Sequence, residues 1–241
     1  MKNLLEICID SVESAIKAEK AGADRLELCE NLIQGGVTPS LGKIEAVLKA
    51  VSIPVRVLIR PRAGNFHYSS AELDIIYKDF ELISKTDSEG IVIGALTENN
   101  EIPEEFLQHS KALSNGKKLV FHRAFDLTLS PLKSAELLFK HGFHTVLTSG
   151  QKNTAEEGVE VLVALQREFS SKLNILAGGG VRSNNLKFIH EKTGITQFHS
   201  SAKILLDQSM SVSMSSSSVA EQIFTVDSNE IKSMKKQINA F

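Results

Sequence analysis

Two short segments of the sequence share one four-residue pattern: leucine, glutamate, an aliphatic residue and cysteine. They cover residues 5–8 and 26–29. Because side chains alternate across a β-strand, the glutamate and the cysteine of each segment lie on one face of their strand. If the two strands are neighbours, the thiolates of Cys8 and Cys29 lie close enough to hold a soft ion such as Cu(I). The alternative, which the spacing alone favours, is that both cysteines are small buried hydrophobic residues.

Charged and imidazole side chains end several other short apolar runs. As candidates for substrate binding and acid–base chemistry, the sequence offers Glu27, Arg60, His122, Arg123, Asp126 and His199. Histidine changes its protonation near neutral pH, so His122 and His199 with a nearby carboxylate could form an acid–base pair. The alternative is an ion-pair network in which Arg60 and Arg123 neutralise the two strand glutamates, since an unpaired buried charge costs several kcal/mol.

These side chains can act together only if a scaffold brings the strand ends to one place. Eight short apolar runs predict strands whose starts lie 21 to 36 residues apart, the spacing of βα units with crossover helices. The predicted strands are residues 4–8, 25–29, 55–59, 91–95, 119–123, 145–149, 174–178 and 197–200. Eight alternating repeats favour an α/β fold, a single-domain (β/α)8 TIM barrel over residues 1–241, rather than an open doubly wound sheet.

Helical patterns with recognisable starts lie between the predicted strands. A capping box, in which a serine or threonine is followed three positions later by glutamate, opens one helix at Ser69 and another at Thr154. A further helix is predicted to begin near Ser183. The pattern therefore supplies eight crossover helices for the eight strands.

One segment, at about residues 202–226, breaks this rhythm because it is long and rich in serine. Loops of this length inside a compact domain often serve as lids or binding loops. The segment is predicted to be either a plain mobile connection or a lid over the end of the barrel.

Glycine and serine residues follow the later strands of the predicted barrel. The candidates for anion or phosphate binding are Gly150, Gly179, Gly180 and Ser200. Glycine lets backbone N–H groups approach an oxyanion closely, and the loops after strands seven and eight are a recurrent phosphate site of such barrels. The alternative is that these glycines only permit a tight turn.

Composition excludes several classes of protein. The 241 residues carry 27 lysines and arginines against 29 aspartates and glutamates, for a formal net charge of −2, so no general attraction for nucleic acid is expected. No apolar run approaches the ~20 residues of a membrane span. Two cysteines are too few for a secreted disulfide scaffold. These features predict a cytoplasmic protein with no nucleic-acid or membrane partner.

Several longer strings carry a resemblance to a known family. In the first half of the chain they are LLEIC at residues 4–8, GADRLELC at 22–29, GGVTPS at 35–40 and IRPR at 59–62. FHRAFD at 121–126, VLTSG at 146–150, GGGV at 178–181 and FHSSA at 198–202 follow in order. Together they resemble the CutC copper homeostasis family over nearly the whole chain.

The resemblance implies a cytoplasmic TIM barrel that takes part in copper handling or tolerance. It implies that Cys8 and Cys29 bind Cu(I), that copper is the partner with no organic cofactor, and that the protein is a homo-oligomer, a dimer or tetramer. The residues themselves support a second hypothesis, an enzyme that acts on a small phosphorylated or otherwise anionic metabolite by acid–base chemistry. The physical features slightly favour the enzyme, and the resemblance favours copper.

Overall fold

Short runs of β-branched and other apolar residues form the strands of one closed barrel. The computed structural model describes residues 3–206 and 222–241. Every barrel strand pairs in parallel with its neighbours in the sequence, and the last strand pairs with the first. The barrel strands are β1 (Leu4–Ile9), β2 (Arg25–Leu28), β3 (Val55–Leu58), β4 (Gly90–Ile93), β5 (Lys118–Phe121), β6 (Thr145–Thr148), β7 (Asn174–Ala177) and β8 (Gln197–Ser200). The predicted (β/α)8 TIM barrel is therefore confirmed.

Helices surround the barrel and connect its strands. They are α1 (Val12–Ala21), α2 (Leu41–Ala50), α3 (Ser70–Ile83), α4 (Glu104–Leu113), α5 (Pro131–Lys140), α6 (Val159–Phe169), α7 (Leu186–Thr193) and α8 (Ser228–Ile238). The capping box predicted before α3 is present, because Ser69 and Glu72 each accept the backbone N–H of the other. None of the helices within residues 3–206 and 222–241 is long and apolar enough to cross a membrane.

Helix α6 begins later than the sequence indicates. Thr154 and Glu157 do exchange hydrogen bonds as a capping pair, but they close a turn, and the helix starts only at Val159. The physical reason is a backbone contact just before the helix. A Cβ added to Gly150 would lie 2.1 Å from the carbonyl oxygen of Gly158, so the backbones of these two residues are in close contact. The segment up to Gly158 is needed to make this contact, and the helix begins after it.

Helix α7 also begins later than predicted, at Leu186 instead of near Ser183. The backbone N–H and the hydroxyl of Ser183 both donate to the carboxylate of Glu230, at 2.7 and 2.8 Å. Ser183 therefore anchors the loop after β7 to the first turn of α8 and does not cap its own helix.

Alternate residues of each strand face either the helices or the barrel axis. Leu5, Ile7 and Leu26 pack with the helices in one continuous hydrophobic core. A separate buried cluster lies inside the barrel and consists of Cys8, Cys29, Leu58, Val92 and Val120. The alternation predicted for the first two strands, with leucine outside and glutamate and cysteine inside, is therefore confirmed.

Below this cluster, the barrel interior holds buried charges. The Glu6 carboxylate, only 1% exposed, accepts from Arg25 and from Arg56, whose Nη1 lies 3.4 Å away. Arg56 also bonds Glu89 Oε2 through Nε at 3.0 Å. The expectation that Arg60 and Arg123 neutralise the two strand glutamates is wrong, because Glu6 pairs with Arg25 and Arg56 and Glu27 faces His199. The arginine partners of Glu6 come from β2 and β3, because Arg25 lies opposite Glu6 in the register and the inward-facing Arg56, which lies opposite Glu27, reaches the Glu6 carboxylate.

Both ends of the serine-rich segment form a two-stranded antiparallel ribbon. Its strands are β9 (Lys203–Leu206) and β10 (Ile223–Val226), which leads directly into α8. The stretch 207–221, which the lid prediction mainly concerns, lies outside the described residues. At its two ends, the predicted loop is therefore β-structure.

Replacement of Arg56 by methionine should destabilise the fold by about 3 kcal/mol, because it removes one partner of a buried carboxylate while keeping the side-chain volume. The control is Lys78→Met, since Lys78 forms a surface ion pair with its side chain 69% exposed. That change should cost less than about 0.5 kcal/mol. Urea unfolding of both variants measures the difference, and equal effects would contradict the role given to Arg56.

Candidate functional site

The two cysteines meet inside the barrel at the carboxyl ends of β1 and β2, the end called the barrel mouth below. Their Sγ atoms are 3.4 Å apart, and both thiols are free and buried. The loop after β2 closes over them at Gly36, whose φ is +85°; a Cβ there would lie 3.3 Å from Cys29 Sγ and 2.9 Å from Leu58. The position must therefore be glycine for the thiol pair to be covered in this way.

His199 connects the thiols to the buried charges below. Its Nδ1 lies 2.8 Å from Glu6 Oε1, and its Nε2 lies 3.6 Å from Glu27 Oε2. The Cys29 thiol in turn donates to Glu27 Oε2 at 3.6 Å. A single chain of contacts therefore runs from Glu6 through His199 and Glu27 to the thiol pair.

The protonation of His199 follows from its two carboxylate neighbours. Burial alone would lower the pKa of His199, but Glu27, a hydrogen bond with Cys8, and Glu6 together raise that pKa well above its ordinary value. Burial opposes ionisation of Glu6 as well, yet Arg25, His199 and Arg56 hold the pKa of this carboxyl far below its ordinary value. Near neutral pH the pair is an imidazolium and a carboxylate.

Both thiols are held in their protonated form. The hydrogen bond that Cys8 donates to Cys29, burial and the negative charge of Glu27 raise the pKa of Cys8 well above its ordinary value. For Cys29, the contact with Cys8 lowers the pKa, but burial and Glu27 outweigh it and raise the pKa to about 12. A ligand that needs thiolates must therefore displace protons when it binds.

His122 has a different environment from His199. Its Nδ1 accepts the backbone N–H of Ala124 at 3.1 Å, which leaves the proton of the neutral ring on Nε2. Burial and the nearby charge of Arg60 lower the pKa of His122 to about 3. An imidazole with this pKa is a weak base near neutral pH, so His122 is better suited to donating a hydrogen bond than to taking up a proton.

A cavity of about 380 Å³ opens at the barrel mouth and contains most of the predicted site residues. Of the residues named from the sequence, Cys8, Glu27, Arg60, His122, Arg123, Gly179, Gly180, His199 and Ser200 line it. Cys29 lies behind Cys8 with 1% of its surface exposed. The volume is within the range of sites for small molecules.

Asp126 and Gly150 were expected at this site and lie beside it. Asp126 accepts from Arg123, from the hydroxyl of Thr148 and from the N–H and hydroxyl of Ser149, so its carboxylate is used in fixing the loop after β6. Gly150 packs on Gly158 and donates its N–H to Thr148. Both residues support the cavity wall without lining the cavity.

Two predicted residues line the cavity but use hydrogen-bonding groups elsewhere. The Arg60 guanidinium donates to the carbonyl oxygens of Gly36 at 2.9 Å and Gly64 at 2.7 Å, and it lies 5.0 Å from the centre of the Phe66 ring. The Ser200 hydroxyl donates to the carbonyl of Val181 at 2.6 Å. Arg60 therefore organises the loops after β2 and β3 while its charge stays at the cavity.

The inward-facing arginines were missed by the sequence reasoning. Arg25 and Arg56 carry the counter-charge for Glu6, and neither stands at the carboxyl end of a strand. The signal was nevertheless present, since Arg25 precedes Glu27 by two positions and so must share its face of β2. Counting back in steps of two from the inward-facing residue at the carboxyl end of each strand identifies both arginines as inward-facing residues.

Three side chains place metal-binding atoms near one another at the mouth. Ligand atoms of Cys8, Glu27 and His199 all lie within 4.8 Å of each other, and Cys29 adjoins the set through its contacts with Cys8 and Glu27. Thiolate and imidazole are ligands suited to copper, whereas carboxylate suits harder ions. The donor set is therefore dominated by soft and borderline atoms.

The fold and the site together define a TIM-barrel protein with a buried thiol pair and a histidine–carboxylate chain at its mouth. The chain matches the CutC family over residues 3–204 and belongs to that family. It is 42% identical over 207 residues to the human copper homeostasis protein cutC homolog, covering 86% of this chain and 76% of the relative.

Bacterial relatives match over a comparable or greater length. A family protein CutC from Histophilus somni is 40% identical over 237 residues, which covers 96% of this chain and 98% of the relative. The crystal structure of a CutC protein from Streptococcus agalactiae superposes with a TM-score of 0.79 at 35% identity, covering 83% of this chain and 98% of that one. These matches agree with the barrel described above.

The ion pairs of His199 should make the stability of the metal-free protein depend on pH. Because its folded pKa is raised, the stabilisation is complete below about pH 6.5, the ordinary value, and declines as the pH rises through the raised pKa. The stability difference between the wild type and His199→Gln in urea unfolding should therefore shrink as the solution becomes more alkaline. A difference independent of pH would contradict the imidazolium assignment.

Proposed function

We propose that the protein binds Cu(I) through Cys8 and Cys29 and takes part in copper handling. The observation that carries the proposal is the 3.4 Å separation of the two free Sγ atoms inside the barrel. Thiolate is a preferred ligand of Cu(I), and two thiolates on adjacent strands give the ion two strong bonds from a rigid scaffold. The name of the human relative, a copper homeostasis protein, supports the same assignment.

His199 supports the proposal as a third donor, because its imidazolium can give up the Nε2 proton when the ion binds. Glu6 accepts from Nδ1 at 2.8 Å, so the ring presents Nε2 toward Glu27 and Cys8. A carboxylate that fixes the other nitrogen of a histidine is the usual arrangement around protein metal sites. In this proposal Cys8 and Cys29 supply the main bonds, and Glu6 orients His199 toward the ion.

Access to the ion comes through the cavity. Cys8 lines it and Cys29 lies directly behind, so Cu(I) reaches Cys8 first and then bridges to the second thiol. An ion held at the mouth of a barrel is open to transfer on one side. We place this role in the cytoplasm and expect a homo-oligomer, as composition and the family resemblance support.

A competition titration tests the thiol assignment. Reduced protein is titrated with Cu(I) against a chromogenic chelator, and Cys8→Ser/Cys29→Ser should lower the affinity by more than about 100-fold, beyond the usual effect of outer-shell changes. Leu58→Val is the matched control, since Leu58 packs in the same cluster but offers no ligand atom. Equal affinity of wild type and the double serine variant would reject the proposal.

Copper affinity should also rise steeply with pH. Both thiols have raised pKa values and His199 is protonated, so binding through two thiolates and the neutral imidazole releases three protons, and the affinity should increase about 1,000-fold for each pH unit around neutrality. The same competition titration, repeated at several pH values with the chelator calibrated at each, measures the slope. An affinity that does not change with pH would show that the thiols are not the ligands.

A further inference from the structure

Three successive backbone N–H groups after β7 point to a second kind of ligand. The N–H groups of Gly179, Gly180 and Val181 donate no hydrogen bond to any residue within 3–206 or 222–241. Gly179 and Gly180 have φ values of +98° and +69°, and all three residues line the cavity at the barrel mouth. Successive N–H groups in such a turn form a concave site for an anion.

The charge of the cavity lining favours an anion as well. The lining carries four basic side chains and one carboxylate, that of Glu27. The basic residues are Arg60, Arg123, Arg182 and Lys203. Glu27 already faces the imidazolium of His199. In the part of the chain that the structure describes, Arg60, Arg182 and Lys203 form no salt bridge. Their positive charge is therefore available to a ligand in the cavity.

Arg123 brings its guanidinium against Gly179. A Cβ added to Gly179 would lie 3.2 Å from Arg123 Cζ, so only glycine admits the side chain at this distance with its present backbone. Arg123 is held by Asp126 Oδ2 at 2.8 Å and by the Ser149 hydroxyl at 2.7 Å. The expected anion-binding glycines and a fixed arginine thus form one wall of the cavity.

An unpaired buried donor supplies an independent observation. His122 Nε2 is buried and has no hydrogen-bond partner among the described residues, although His122 lines the cavity and is only 6% exposed. Its ring fits there because residue 94 is glycine; a Cβ at that position would lie 2.6 Å from the imidazole. Because a buried donor without a partner costs free energy, a ligand acceptor at this point would be bound favourably.

We propose that the cavity binds a small metabolite through a phosphate group. The N–H groups of residues 179–181 hold the phosphate, Arg123, Arg182 and Lys203 neutralise it, and His122 donates to another acceptor of the same molecule. This binding is separate from the copper site proposed above, since the thiols take no part in it. It adds a metabolite ligand to a protein for which the family name suggests only a metal.

Glycerol 3-phosphate and inorganic phosphate are suitable probes, with glycerol as the uncharged control. In amide NMR spectra of the full chain, both phosphates should shift the signals of Gly179 and Gly180, and glycerol should not. Absence of a shift with both phosphates would overturn the proposal. The same experiment with Cys8→Ser/Cys29→Ser should give unchanged phosphate binding, which separates this result from the fate of the copper proposal.

A pair of charge-matched double variants tests the basic residues. Arg182→Gln/Lys203→Gln should weaken glycerol 3-phosphate binding by about tenfold or more, because two charge-assisted contacts are lost. The control, Lys78→Gln/Lys85→Gln, removes the same net charge from a surface outside the cavity. Equal weakening in both would show that only overall charge matters and would overturn the proposal.

Arg123→Gln provides a third comparison, with Arg62→Gln as its control. Both arginines are about equally exposed and ion-paired, Arg123 with Asp126 at 2.8 Å and Arg62 with Glu72. Only Arg123 lines the cavity. Arg123→Gln should weaken phosphate binding by about tenfold, whereas Arg62→Gln should leave it within error of the wild type. The opposite order would contradict the geometry proposed here.

Discussion

A buried carboxylate at the axis of the barrel, that of Glu6, is the constraint on which the site depends. Its partners are Arg25, Arg56 and His199, which come from β2, β3 and β8. A carboxylate removed from water costs several kcal/mol unless all of its oxygens are matched. The four strands must therefore align at this one charge, and the alignment sets the positions of the thiols one layer above.

The same charge determines what the mouth can bind. Glu27 and Glu6 together keep His199 protonated, and the resulting cation lies between the two carboxylates. The thiols beside Glu27 stay neutral, because a thiolate there would add a second negative charge in a buried place. A metal cation would bring the positive charge that thiolates need, whereas the glycine-lined wall with its arginines already has positive charge in excess. One cavity thus offers two electrostatically different surfaces.

Much of the fold follows from local rules, but the site depends on contacts that those rules do not describe. Strand spacing predicted the barrel, and alternation placed Cys8 and Cys29 inside it. Alternation could not show which arginines reach Glu6, because that depends on strand register. Nor could it show that Asp126 serves the loop after β6, or that Gly150 meets Gly158, since both are contacts between distant segments. The periodicity of a strand or a helix indicates which face a side chain lies on, but it does not indicate which residue of another segment that side chain contacts.

The bond between His199 and Glu6 joins residues 193 positions apart and connects the last barrel strand to the first. A growing chain cannot form it until the eighth strand has emerged, so a partial barrel would have Glu6 without its imidazolium partner. Such long-range contacts form late in folding because closing the intervening chain costs entropy. The site therefore matures only when the barrel closes.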